Sequence, residues 1–173
     1  IAQSSTVFPP EQESKVVSFN ENGTPIIKVV GVGGGGDNAV DHMFEQGIDG
    51  VSFVVTNTDR QALETSKVPN QLLLGPQTCR GLGAGNEPGK AKKAAEESSE
   101  DIAKLFDEDT KMVFITAGMG GGTGTGAGPI VAKISREMGK LTIGIVTIPF
   151  LFESKKKIVK ALDDKKGNDI QVI

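Results

Sequence analysis

Tryptophan and tyrosine are missing from the 173 residues, and cysteine and histidine occur once each, as Cys79 and His42. A single cysteine excludes a disulfide framework and any multi-cysteine metal centre. One histidine leaves no ligand set for zinc. With 19 basic against 22 acidic residues, the chain also lacks the basic surface and the stacking rings of a nucleic-acid binder. No apolar run approaches the ~20 residues of a membrane span, and the first residues lack the basic-then-apolar pattern of a signal peptide. A soluble, cytoplasmic protein with no direct membrane contact is therefore expected. The length suits one domain with a core of its own. Glycine breaks the pattern of scarcity: 23 of 173 residues, about 13% against a usual ~7%.

The glycines are clustered. Gly31, Gly33, Gly34, Gly35 and Gly36 form one group, Gly81, Gly83, Gly85 and Gly89 a second, and Gly118, Gly120, Gly121, Gly122, Gly124, Gly126 and Gly128 a third. A flexible linker would surround its glycines with Ser and Pro. Here each outer cluster instead follows a β-branched apolar run and precedes a helical pattern.

Residues 26–30, 51–55, 112–117 and 141–148 are apolar runs of buried-strand type, and 71–74 is a brief further strand. Ala39, Val40, Met43 and Phe44 fall one turn apart in a short helix ending at Gly47. Ala91, Ala94, Ala95, Ile102, Leu105 and Phe106 recur at helical spacing as one helix, with Glu96, Glu97, Glu100 and Lys104 on its wet side. A later helix opens with Pro129 in its first turn, turns Ile130, Val131, Ile134 and Met138 inward and stops at Gly139. Residues 153–164 read as an amphipathic helix and 169–173 as a last strand. Strands alternating with helices predict a three-layer α/β domain over 25–173, a Rossmann-like parallel sheet with helices on both faces. Residues 1–24, polar and carrying Pro9 and Pro10, read as a flexible arm.

In such a sheet ligands sit beyond the carboxyl ends of the strands, where the glycine clusters would meet. Glycine lets successive N–H groups point at one anion, and a following helix adds roughly half a positive charge. Phosphate binding is the chemistry this pattern implies. The run 31–36 satisfies G-x-G-x-x-G, and Asp59 ends the next strand where a ribose-binding acid would stand, so an NAD-type domain is one reading. A Walker loop is absent, since no Gly-Lys-Ser or Gly-Lys-Thr occurs. The third cluster is too large a second phosphate cradle for a dinucleotide fold.

Gly120-Gly121-Gly122-Thr123-Gly124-Thr125-Gly126 resembles, letter for letter, the signature loop of the tubulin/FtsZ family. The first cluster through Asn38-Ala39-Val40, the Asn57-Thr58-Asp59 triplet, Gly81-Leu82-Gly83-Ala84-Gly85 and Thr147-Ile148-Pro149-Phe150 with Phe152-Glu153 resemble further loops of that family. The resemblance runs from about 26 to 162. It implies GTP or GDP as the ligand, with magnesium accompanying GTP, and head-to-tail self-assembly into the filaments of the bacterial division ring. Membrane tethers of that ring, and a cytoplasmic midcell location, are implied in the same way. Gly34, Gly35, Gly36 and Asn38 would line the phosphates and guanine edge, and Gly120, Gly121, Gly122 and Thr123 the α- and β-phosphates. Ala84, Gly85 and Asn86 would touch the γ-phosphate through backbone N–H groups. Thr147 and Glu153 would meet the ribose, and Asp59 would sit near magnesium and water. Asn57, Gly118, Gly124, Pro149 and Lys157 complete the implied contact set.

Three departures from the family pattern carry expectations of their own. Asp37 stands where Gly or Ser is usual. A carboxylate 4 Å from a phosphate would cost about 4 kcal/mol at an effective dielectric of 20, so Asp37 is expected to turn away and cap the following helix, and Asp37→Ser to leave GTP affinity unchanged or tighter. Lys157 replaces an arginine four residues after Glu153 and lacks its planar fork. The acidic N-x-D-x-x-D loop that activates water does not occur in the 173 residues. By resemblance, this chain is expected to bind GTP but hardly hydrolyse it alone, and to cap a filament at one end. A non-catalytic assembly module is the third reading. His42 is expected to face solvent, Cys79 to be an ordinary small residue, and Lys155, Lys156 and Lys157 to form a solvated helix face.

Overall fold

The computed structural model describes residues 25–149. The expected arm at 1–24, the helix at 153–164 and the strand at 169–173 lie outside the described residues, as do Glu153 and Lys157. Five strands, β1 (Ile27–Val32), β2 (Val51–Asn57), β3 (Gln71–Leu73), β4 (Met112–Gly118) and β5 (Leu141–Thr147), form one sheet in the order β3-β2-β1-β4-β5. Every neighbouring pair is parallel. The helices are α1 (Gly33–Glu45), α2 (Arg60–Thr65), α3 (Pro88–Glu97), α4 (Ser99–Lys104) and α5 (Thr123–Glu137).

Side-chain alternation along the strands sorts the core into two layers. Val30, Val32, Val54, Val113, Ile115 and Ala117 pack with Ala95 of α3, Ile102 of α4, Ala127 and Val131 of α5, and Phe106. On the opposite face Val29, Phe53 and Val55 pack with Val40 of α1, Leu63 of α2 and Val68. Helices thus cover both faces of the sheet, as the alternating pattern predicts.

Several local expectations need correction. The helix after β1 begins inside the glycine cluster, at Gly33. Its buried face is Gly33, Gly36, Asp37 and Val40, which leaves Ala39 and Phe44 exposed. Residues 91–106 form two helices rather than one. The break falls at Ser98, whose Oγ accepts the Gly75 N–H at 2.9 Å and whose carbonyl starts α4 by accepting the Ile102 N–H. Pro129 lies inside α5, not in its first turn, because the third glycine cluster itself winds into the start of the helix. Met138 follows the last turn of that helix and is 41% exposed. Helix α2 has no counterpart among the expected elements: Asp59 nucleates it, its Oδ1 accepting the Gln61 N–H at 2.9 Å and the Ala62 N–H at 3.4 Å. His42 is exposed, as expected, and Cys79 is buried.

The end of the sheet where the strands begin is closed by side chains. Lys28 on β1 is fully buried. Its Nζ donates to the Leu105 carbonyl and, at 3.0 Å, to Asp107 Oδ2. Asp107 Oδ1 accepts from the Thr110 N–H and hydroxyl, both at 2.8 Å, and its carbonyl accepts from Lys140 Nζ at 2.5 Å. Burial pulls the Lys28 ammonium below its ordinary range, partly offset by Asp107. Burial acts against the charged form of Asp107 too, yet hydrogen bonds from Lys28 and Thr110 outweigh it and hold that carboxyl low.

Candidate functional site

Strand order reverses at β1, whose chain continues to β2 on one side while β4 arrives on the other. A crevice at such a switch point, beyond the carboxyl ends, is where this architecture accommodates a ligand. The register brings the ends together: Val32 lies beside Thr56 and Ala117, and Gly118 beside Thr147. The first and third glycine clusters leave from the two strands that flank the crevice.

The glycines let these loops touch backbone to backbone. A methyl group on Gly36 would lie 2.2 Å from the Thr116 carbonyl oxygen, and one on Gly33 (φ 72°) 2.8 Å from the Gly124 nitrogen. A methyl on Gly122 would come within 3.0 Å of both Asn86 Cα and Glu87 N, so the second loop joins the same cluster. Thr58 and Thr123 share a hydrogen bond between hydroxyls at 2.7 Å, tying the end of β2 to the start of α5. The Gly120 N–H donates to Thr125 Oγ1 at 2.9 Å, closing the third loop on its own helix. Gly34, Gly85 and Gly121 differ from these packed glycines: nothing lies within 4 Å of where their side chains would be. Packed glycines seat the loops, and open ones present bare backbone.

Both α1 and α5 begin at this cluster, and neither N-terminus has a side-chain cap. The first N–H groups of a helix lack intrahelical acceptors and carry the positive end of its dipole. Two uncapped helix starts beside open glycines form a receptor for an anion with several oxygens. In the second loop Arg80 (φ 53°) and Asn86 (φ 61°) are left-handed without being glycine, which curls the loop around Gly81, Gly83 and Gly85. Ala84 is buried, so its methyl is not presented to a ligand.

The other predicted residues take the following places. Gly35 and Asn38 are exposed on α1. Gly118 ends β4, with Thr147 Oγ1 3.5 Å from the position of a methyl on it. Thr147 ends β5 and is exposed, and Pro149 lies two residues on. Gly124 is buried under the Gly118 carbonyl. Asn57 is buried and turns inward: its Nδ2 donates to Asp37 Oδ2 at 2.7 Å and its Oδ1 accepts the Asp59 N–H at 3.1 Å. Asp59 is half-buried, with Oδ1 engaged by the α2 start, which leaves Oδ2 beside Gly83. No group of three or more His, Cys, Asp or Glu that could hold a metal occurs among the described residues. Asp59 suits a magnesium ion held mainly by phosphate oxygens and water, which needs only one or two carboxylates.

Asp37 is not a cap. Helix α1 starts four residues before it, and its carboxyl points into β2, accepting the Thr56 N–H at 3.3 Å as well as the Asn57 amide. It is 4% exposed, and burial pushes the carboxyl up to about 7 despite those two hydrogen bonds. The spacing of Gly33, Gly36, Asp37 and Val40 along one helical face is the sequence sign of this burial. The Thr58–Thr123 hydroxyl pair has no such sign.

The family model described as the Tubulin/FtsZ family, GTPase domain, matches residues 26–164. The chain belongs to the tubulin/FtsZ family. It is 55% identical over 155 residues to the cell division protein FtsZ of Porphyromonas gingivalis, covering 87% of this chain and 34% of that protein. To the cell division protein FtsZ of Aquifex aeolicus it is 54% identical over 151 residues, covering 85% and 41%. The solved FtsZ dimer of M. jannaschii, described as empty, superposes with a TM-score of 0.80 at 42% identity, over 88% of this chain and 46% of that one. The chain therefore spans between a third and a half of the length of these FtsZ relatives. Among the described residues no helix is long and apolar enough to cross a membrane.

Proposed function

We propose that this chain is the GTP-binding part of a filament-forming GTPase of cell division. The observation that carries this reading is the convergence of three glycine loops and two uncapped helix N-termini at the β1/β4 switch point, in a chain of this family. In this reading the N–H groups of Gly34, Gly35, Gly121, Gly122 and Thr123 hold the phosphates, while Gly36, packed on Thr116, and Gly120, whose N–H is engaged by Thr125 Oγ1, keep the two loops in shape. Ala84, Gly85 and Asn86 face the terminal phosphate through their backbone. Asn38, Thr147, Pro149, Glu153 and Lys157 meet the nucleoside, and Gly118, Gly124 and Asn57 shape the floor. Magnesium is held by phosphate oxygens and water with Asp59 Oδ2 nearby, and it offsets phosphate charge. Hydrogen bonds to charged groups contribute about 1.5–3 kcal/mol each, so half a dozen suffice to hold a polyphosphate.

The same reading places the protein in the cytoplasm at the division site, assembled head to tail with copies of itself and joined to membrane tethers. Hydrolysis then occurs between subunits, where the acidic loop of one completes the site of the next. That loop is not among these 173 residues, so the chain alone binds GTP with hardly any turnover. Titrating GTP, ATP and NAD separately against the purified chain tests the assignment. Saturable binding of GTP, with ATP and NAD much weaker, is expected. Tighter binding of NAD, or no binding of GTP, would overturn it.

A further inference from the structure

Asp37 sits directly after the open and packed glycines of the first loop, under the cradle rather than on it. Its carboxyl is the link between that loop and the end of β2. Oδ2 receives the Asn57 amide at 2.7 Å, and Asn57 Oδ1 in turn receives the Asp59 N–H at 3.1 Å. Asp59 starts α2 and packs beside Gly83 of the second loop, while Thr58 next to it bonds Thr123 of the third. One buried carboxyl thus anchors a turn that touches all the loops.

The same carboxyl is a charge in the wrong place for an anion site. A polyphosphate carries several negative charges, and a like charge buried close beneath them repels them with little water to screen it. The elements packed on α1 offer little to neutralise Asp37. Strands β2 and β4 contain no ionisable residue, and Asp59 beyond β2 is itself acidic. On β1, Lys28 lies at the opposite end, engaged by Asp107. On α5, Lys133, Arg136 and Glu137 stand in exposed positions near the C-terminal end. On α1 itself Asp41, one turn on, adds repulsion, and His42 and Glu45 are exposed.

We propose that the Asp37 carboxyl is a proton-linked positioning residue of the nucleotide site: it holds the Asn57 turn beneath the glycine loops and takes up a proton from solution when a nucleoside di- or triphosphate occupies them. This rests on the nucleotide reading given above. Free, the carboxyl is poised near neutrality, so a phosphate-bearing ligand shifts it to the neutral form. By linkage, affinity then falls as pH rises through and above that range, by up to tenfold per pH unit for a single proton.

The test is calorimetry of GDP binding to the 173-residue chain and to Asp37→Asn, in paired buffers of different ionisation enthalpy, from pH 6.5 to 8.5. Titration of GDP itself is common to both proteins and cancels in the difference. At pH 7.5 the unsubstituted chain should take up about half a proton more than Asp37→Asn does. Its affinity should weaken about tenfold more than that of Asp37→Asn across the range. A carboxyl NMR titration of the unsubstituted chain supplies the same answer without a substitution: Asp37 should titrate at higher pH with GDP bound than without. Equal proton uptake and parallel pH profiles, or an Asp37 titration unmoved by GDP, would overturn the linkage and leave the nucleotide reading standing. Absence of GDP binding by either protein would overturn both.

Discussion

Where β1 and β4 begin, side chains close the sheet; where they end, backbone does. At the first end a buried Lys28 reaches Asp107 and the Leu105 carbonyl, and Thr110 and Lys140 complete the clamp. At the second, Gly33, Gly36, Gly122 and Gly124 bring main chains into direct contact, and polar side chains are few and mostly turned inward. A side-chain clamp satisfies its own charges and leaves nothing for a ligand. A backbone cluster with open glycines leaves N–H groups pointing outward, which an anion can accept. The contrast separates the part of the molecule that holds it together from the part proposed to bind.

Removing Lys28 should be the most damaging change and should spare binding. Lys28→Ala takes one partner from a buried ion pair, at a cost of about 3–5 kcal/mol. Urea unfolding should show that loss, while GDP affinity of the folded protein stays within about twofold. A large loss of affinity without a loss of stability would erase the distinction between the two ends.

The binding end should instead be pH-sensitive in its stability. A carboxyl raised from 3.8 to about 7 in the folded chain makes folding take up a proton between those values. Its stabilising contribution is fully present below about pH 4 and is lost as pH rises through 7, on the order of 4 kcal/mol in all. Unfolding of the chain relative to Asp37→Asn should show stability falling over that window, and parallel curves would contradict the buried placement of Asp37.

Within the glycine cluster, packed and open positions should respond differently. Gly36→Ala meets the Thr116 carbonyl and should destabilise by about 1–3 kcal/mol through overpacking. Gly34→Ala meets nothing, so stability should change by less than about 0.5 kcal/mol while nucleotide affinity falls. Equal effects on stability at the two positions would blur the division between seat and receptor.

The strands are legible in the sequence because β-branched runs such as 51–55 and 141–147 are bounded by breakers, and their parallel pairing follows from the helices between them. The α1 and α5 starts are harder to read, since four glycines in a row display no face and Pro129 suggests a first turn that the chain has already passed. The six-residue α2 is too short for periodicity, and only the capping chemistry of Asp59 announces it. Lys28 lies in an apolar run with its partner 79 residues away, a pairing that no local pattern shows. The glycine loops can be read as a phosphate cradle because their chemistry is carried by the backbone. The inward turn of Asn57 and Asp37 depends on packing across α1 and β2, which sequence spacing alone does not contain.

In the proposed site, N–H groups from three separate loops face one phosphate tail. Amide NMR of the chain during a GDP titration tests it at Gly34, Gly85 and Gly121, the open glycines. All three amides should shift and saturate together with one dissociation constant, the Gly85 response growing when GTP replaces GDP. Movement of Gly34 alone, with Gly121 unchanged at saturation, would contradict a shared cradle.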